Sequence, residues 1–174
     1  MKPVLVVGGG PAGLSAAAEL ASLGADAILV EKESYLGGNP KRWHYSLLAP
    51  DLKPAEEVLG ELLGKVEGNP RVDVRLGTSV TAAEPAPPGF RVSLKGGTGE
   101  EGREVSAVIL ATGFDHFDSR RKFEYGYGRY PDVLDFKELE GMIHDDKILR
   151  PSDGKPPKRI AWVLCVGSRD LQVG

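Results

Sequence analysis

Apolar residues fall along this chain in two periods, and each period predicts an element. Val4-Leu5-Val6-Val7 is a short unbroken apolar run of mainly β-branched type, the signature of a parallel strand buried on both faces. From Ala12 to Leu23 the spacing becomes helical, with Leu14, Ala17, Ala18 and Ala21 in phase and Gly24 as the stop. A second strand is predicted at Ala27 to Val30, closing on Glu31. Strand, turn, helix and strand in about thirty residues make one parallel crossover unit.

Farther along, Leu59, Leu62, Leu63 and Val66 predict an amphipathic helix from Pro54 to Val66. Its Gly60, Gly64 and Lys65 do not have the spacing of a phosphate loop. Val72 to Arg75 alternates as a strand. Three short strands are then expected at Thr81 to Glu84, Phe90 to Leu94 and Glu104 to Leu110, separated by a Pro-rich turn at 85–89 and a Gly-rich turn at 96–102. Together they form a β-meander inserted before the chain returns to the parallel sheet. The fold class is α/β, a Rossmann-like parallel sheet with a β-meander insertion.

Chemistry enters between the first strand and the first helix. Gly8, Gly10 and Gly13 satisfy G-x-G-x-x-G in the context that gives the motif meaning. Gly8 permits the tight turn, Gly10 keeps a Cβ out of the path of a pyrophosphate, and Gly13 lets helix and strand approach. Pro11 and Ala12 open the helix, whose first N–H groups and partial positive charge suit phosphate. Glu31 lies 18 residues past Gly13, where a carboxylate accepts from both ribose hydroxyls and repels a 2′-phosphate. Lys32 beside it joins the candidate set.

The remaining composition excludes several classes. With 41% apolar and 27% charged residues, the 174-residue chain suits one packed domain with an appendage. A net charge of −3 with interspersed signs gives neither a nucleic-acid footprint nor a polybasic membrane patch. Gly8-Gly9-Gly10-Pro11 interrupts the first apolar run, so it is not read as a secretory signal, and no run reaches the roughly 18 residues of a membrane span. One cysteine, Cys165, forms neither an intrachain disulfide nor a cluster and fits a reducing cytoplasm. Cys165 is expected inside a buried strand. His44, His116 and His144 are scattered along the sequence, so no catalytic residue and no metal ligand is assigned.

The motif alone serves FAD and NAD equally. Gly37-Gly38 in "YLGGNPKRW", Val80 in "GTSV" and Ala111-Thr112-Gly113 in "VILATGFD" are similar to positions in the glutathione-reductase-like flavoproteins. The resemblance implies FAD, with a second backbone approach at Gly37-Gly38, adenine on the backbone of Val80, and the strand end at 111–113 beside the adenosine half. Arg42 is then within the reach expected of a phosphate or flavin partner. An inserted meander is itself typical of that group.

"ATGFDHFD", "YGYGRYP" and "CVGSRD" narrow the resemblance to the A component of heterodisulfide reductase and related quinone-interacting subunits. It implies non-covalent FAD and electron exchange with iron–sulfur partners in a large cytoplasmic complex. Those relatives carry cysteine-rich motifs and a Gly-Asp return segment that this sequence lacks, so the chain is expected to be incomplete or completed by another polypeptide. The expected organisation is an FAD-binding domain at 1–115, a connecting segment at 116–158, and at 159–174 the start of an incomplete second lobe or a return strand. Tyr125, Tyr127 and Tyr130 are expected to form a loop packed on its own domain, with a place along the flavin or a partner surface as the alternative. Three readings are carried: an FAD-dependent electron-transfer subunit with iron–sulfur partners, a non-catalytic FAD- or nucleotide-binding module, and an FAD- and NAD(P)H-dependent reductase, the last disfavoured for want of a second glycine motif. Nucleic-acid binding and membrane insertion are not expected, and an oligomer is compatible.

Overall fold

The computed structural model describes residues 2–97, 99–167 and 169. They divide into two compact units, one of residues 2–42 with Leu47–Gly113, the other of Trp43–Ser46 with the described residues from Phe114 onward.

The first unit is built on a four-stranded parallel sheet: β1 (Val4–Val7), β2 (Ala27–Val30), β5 (Val72–Arg75) and β9 (Ala107–Leu110), in the spatial order β5-β2-β1-β9. Registers run Val4 to Ala27 and Ala107, and Ala27 to Val72, so the strands end level. Strand periodicity sends alternate residues to opposite faces. Val6, Ala27 and Leu29 pack under the helices α1 (Pro11–Ser22) and α3 (Ala55–Val66), with Leu14, Ala17, Leu59 and Val66. Leu5, Ile28 and Val30 face a second layer, the meander β6 (Ser79–Ala86), β7 (Gly89–Gly96) and β8 (Gly99–Val105), through Val92, Leu94 and Val105. A central strand covered on both faces has to be apolar throughout, which is why the two short runs are unbroken. Two short pieces complete the unit, α2 (Gly38–Arg42) and the two-residue strands β3 (Leu47–Leu48) and β4 (Lys53–Pro54).

The expected single strand from Glu104 to Leu110 is two. The chain leaves the antiparallel ladder at Val105, Ser106 donates its N–H to the Pro3 carbonyl at 2.9 Å, and Ala107 begins the parallel pairing with β1. The glycine-rich turn is shorter than expected, because β8 starts at Gly99.

The second unit is assembled from two 3-10 turns, Ser119–Arg121 and Phe123–Tyr125, and the helix α4 (Phe136–His144). Asp135 and Glu138 form a capping box at the start of α4, each side chain bonding the other's backbone N–H. Trp43–Ser46 packs here. Tyr45 Oη lies 2.8 Å from His116 Nε2, Ser46 N–H donates to Glu140 at 2.9 Å, and the rings of His44 and His144 stack at 4.4 Å. The three histidines, scattered in sequence, are therefore partly gathered in space, because the tetrapeptide brings His44 to the end of α4. Burial, with Lys137 nearby, pushes His116 below the usual imidazole range, against the pull of Asp135 and Asp115.

Residues 159–164, expected as an apolar strand, have no regular secondary structure, and no ladder among the described residues includes them. Cys165, expected in a buried strand, is exposed with φ +60°. An apolar run becomes a strand only where a neighbour supplies hydrogen bonds and cover, and neither is present for this segment among the described residues. Residues 168 and 170–174 of the expected second lobe lie outside the described residues. No helix among the described residues is long and apolar enough to cross a membrane.

Candidate functional site

β1 stops at Val7 and the chain turns directly into α1. Gly8 makes the turn at φ +109°, and its N–H donates to the Val30 carbonyl at 2.8 Å. A Cβ on Gly8 would collide with the Ala111 carbonyl, and one on Gly13 with the Gly8 carbonyl. The turn, the first helical turn and the end of β9 are thus packed backbone against backbone. Ala111 N–H also donates to the Val7 carbonyl at 2.8 Å. Ala111 therefore lies at the glycine turn, with Thr112 adjoining, whereas Gly113 follows at φ +69° in open space.

Gly10 caps α1 in an extended conformation, and no side chain caps the helix. Pro11 occupies the first turn, where its missing N–H removes no intrahelical bond. The N–H groups of Ala12 and Gly13 have no partner within the helix, and no acidic residue lies in its first turn. This end of the helix is suited to an anion.

Across from it stands the second glycine pair. Gly37 and Gly38 adopt φ +117° and +59°, and Gly37 N–H donates to the Gly9 carbonyl at 2.8 Å. A Cβ on Gly38 would stand 2.9 Å from Gly10 Cα; one on Gly10 would meet only Gly38 Cα, at 3.8 Å. Two bare backbones face each other there.

Glu31 completes the cradle. Its side chain is buried at the end of β2, where Oε2 accepts from Gly9 N–H at 2.6 Å and Oε1 from Glu33 N–H at 2.9 Å. A carboxylate has about four acceptor sites, so two N–H donors fix its orientation and leave capacity on both oxygens. Thr78 N–H donates to the Glu31 carbonyl at 2.8 Å, which carries the connection between β5 and β6 past this corner. Val80 follows two residues later, half-buried in β6 and packed toward the meander core. Lys32 and Arg42 are exposed at the margins. The structure therefore gathers Gly8, Gly10, Pro11, Ala12, Gly13, Glu31, Gly37, Gly38 and Ala111, and leaves Lys32, Arg42 and Gly113 peripheral.

Gly9 was missed because the motif leaves its position unspecified. A Cβ there would come within 2.5 Å of Leu36 Cδ2 and 3.1 Å of Glu31. Three consecutive glycines where two suffice were the available signal.

These residues fit a dinucleotide: bare N–H groups at a helix start, a notch that a single Cβ would narrow, and a held acid at the neighbouring strand end. The family model described as pyridine nucleotide-disulphide oxidoreductase matches residues 2–162. The A component of the H(2):CoB-CoM heterodisulfide,ferredoxin reductase of Methanothermobacter marburgensis is 53% identical over 41% of this chain and 12% of its own length. The iron-sulfur A component of the CoB--CoM heterodisulfide reductase of Methanocaldococcus jannaschii is 29% identical over 99% of this chain and 38% of its own. This chain thus spans well under half the length of these relatives. Among solved structures, L-proline dehydrogenase from P. horikoshii superposes with a TM-score of 0.57 and 26% identity, covering 83% of this chain and 28% of that one. The chain belongs to the pyridine nucleotide-disulphide oxidoreductase family and is similar, within it, to the A components of heterodisulfide reductases.

Proposed function

We propose that this chain is an FAD-binding, heterodisulfide reductase A-like domain of an oxidoreductase that passes electrons between its flavin and iron–sulfur partner proteins in the cytoplasm. The observation that carries the reading is the facing of Gly10 and Gly38 beside an oriented Glu31. Ala12 and Gly13 offer their N–H groups to the diphosphate, and Glu31 takes the adenosine ribose hydroxyls with its remaining lone pairs. Gly37 and Gly38 give the second backbone approach, the Val80 backbone is assigned to adenine, and Ala111, Thr112 and Gly113 border the adenosine half. Lys32 and Arg42 contribute positive charge at the margin. When bound, FAD supplies the hydride and single-electron chemistry; the protein contributes position and exclusion of solvent. The single cysteine of this sequence cannot ligate a cluster that normally takes four, so no iron–sulfur centre is placed within these 174 residues.

Purified protein loaded with FAD, desalted and denatured should release stoichiometric FAD, and the loaded protein should bleach at the flavin bands with reduced ferredoxin. Colourless protein after loading overturns the reading. Retained FAD that neither reduced ferredoxin nor NADH bleaches points instead to a non-catalytic binding module.

A further inference from the structure

The stretch from Phe117 to Tyr130 belongs to no part of the cradle, yet three cation–π contacts are concentrated in it. Arg121 lies over the Phe117 ring at 5.2 Å, Arg120 over Tyr127 at 5.5 Å and Arg129 over Tyr130 at 5.1 Å. Other such contacts lie elsewhere in the chain, Lys41 on Tyr35 and Lys137 on Trp43, so what sets this stretch apart is that three fall within fourteen residues.

Glycines shape it. Gly126 ends the second 3-10 turn at φ +82°, in a position where a Cβ would stand 2.5 Å from the Tyr130 ring, and Gly128 at φ +78° borders the Arg120 side chain. Tyr130 and Tyr127 are thereby set on one loop, with Arg129 on one ring and Arg120 on the other. Phe123 is 79% exposed and Tyr125 and Tyr130 are also exposed. Exposed Tyr, Phe and Arg are the residues over-represented in the centres of protein interfaces.

The charges say what would cover this face. Arg120 has Asp118 at 3.6 Å, and the buried Lys122 pairs with Glu124 at 2.8 Å. Among the described residues no carboxylate pairs with Arg121 or Arg129, although both are exposed. The nearby acids face elsewhere: Asp132 accepts from Ser152 N–H and Oγ–H, and Asp135 caps α4 and pairs with Lys137. An arginine held against a ring in this way keeps N–H groups for a planar carboxylate. From Phe117 to Tyr130 the chain carries Arg120, Arg121, Lys122 and Arg129 against Asp118 and Glu124, a small local excess of positive charge that suits a few carboxylates on an acidic protein rather than an extended polyanion.

We propose that the Phe117–Tyr130 face is the docking surface for an acidic partner protein, whose carboxylates engage Arg121 and Arg129 around the exposed Phe123, Tyr125 and Tyr130. In the redox reading above, on which this identification rests, the partner is an acidic electron carrier. Titration calorimetry of the FAD-loaded protein with a strongly acidic bacterial ferredoxin at low salt tests it. The Arg121→Glu/Arg129→Glu variant should bind at least tenfold more weakly, with a shallower salt dependence, while Lys155→Glu/Lys158→Glu should change affinity less than twofold. Should the double reversal misfold by circular dichroism, Arg121→Gln/Arg129→Gln with the salt series takes its place. Equal effects of the two pairs, no binding by wild type, or tighter binding of poly(U) RNA than of the ferredoxin would overturn the proposal. FAD content of the same samples separates the two ideas: docking without flavin sinks only the redox reading, and flavin without docking sinks only this one.

Discussion

A methyl group at position 10 separates two jobs that glycines perform here. Gly10→Ala meets only Gly38 Cα, at 3.8 Å, in an ordinary backbone region with φ −78°, so the thermal midpoint should hold or rise slightly. FAD retention should nevertheless fall at least tenfold, because the methyl fills the notch; scanning fluorimetry and released flavin report the two effects. Gly13→Ala, by contrast, drives a methyl into the Gly8 carbonyl and should lower the midpoint sharply. The Tyr127 hydroxyl is pushed up to about 12, by burial first and then by Asp135 and Glu138. An unfolded tyrosine ionises near 10. The stability tied to Tyr127 is therefore intact below about pH 10 and lost as pH rises through about 12. In a phenolate absorbance titration of the five tyrosines, Tyr127→Phe should abolish the last component to ionise. Positions such as Gly8, Gly13 and Glu31 were legible in sequence because the motif fixes their spacing. Gly9 was not, since what crowds it, Leu36 and the Glu31 side chain, comes from beyond β2 and from its tip. Cys165 was misjudged because an apolar neighbourhood in sequence does not guarantee cover in space.

Among the elements, the meander is the second wall of the core rather than an ornament on it. Leu94 sits fully buried with Leu5, Ile28, Val30, Val92 and Val105. Leu94→Ala should cost about 2–5 kcal/mol and lower the urea midpoint accordingly. Phe90→Ala, on an exposed side chain of the same strand, should cost much less, and urea unfolding of both variants checks the contrast. The parallel strands could be read from unbroken apolar runs, since burial on both faces leaves that mark. The junction of β8 and β9 could not, because the change of partner at Ser106 is a backbone event and the apolar residues continue through it. α2 escaped notice because five residues are too few to show a period. α4 went unread too, although it opens on Asp135-x-x-Glu138, because its start is recognised as a capping box only once the helix is seen.

For the molecule as a whole, the largest uncovered apolar stretch among the described residues is Ile160, Trp162, Val163 and Leu164, 55 to 79% exposed. Runs of this kind, β-prone and without charge, drive self-association. Leu164→Lys should reduce light scattering on warming without lowering the thermal midpoint; a lowered midpoint would mean the leucine is covered in solution. The interleaving of the two units along the chain could not be anticipated, since nothing in Trp43 to Ser46 sets it apart from its neighbours. It bears on how the protein is made. His116, the partner of Tyr45, is 71 positions downstream. At roughly 5–20 residues per second, a ribosome delivers it about 4–14 s after the tyrosine leaves the peptidyl-transferase centre. The tetrapeptide must wait that long unclasped, so a holdase or a pause in translation would act on this nascent chain within that window.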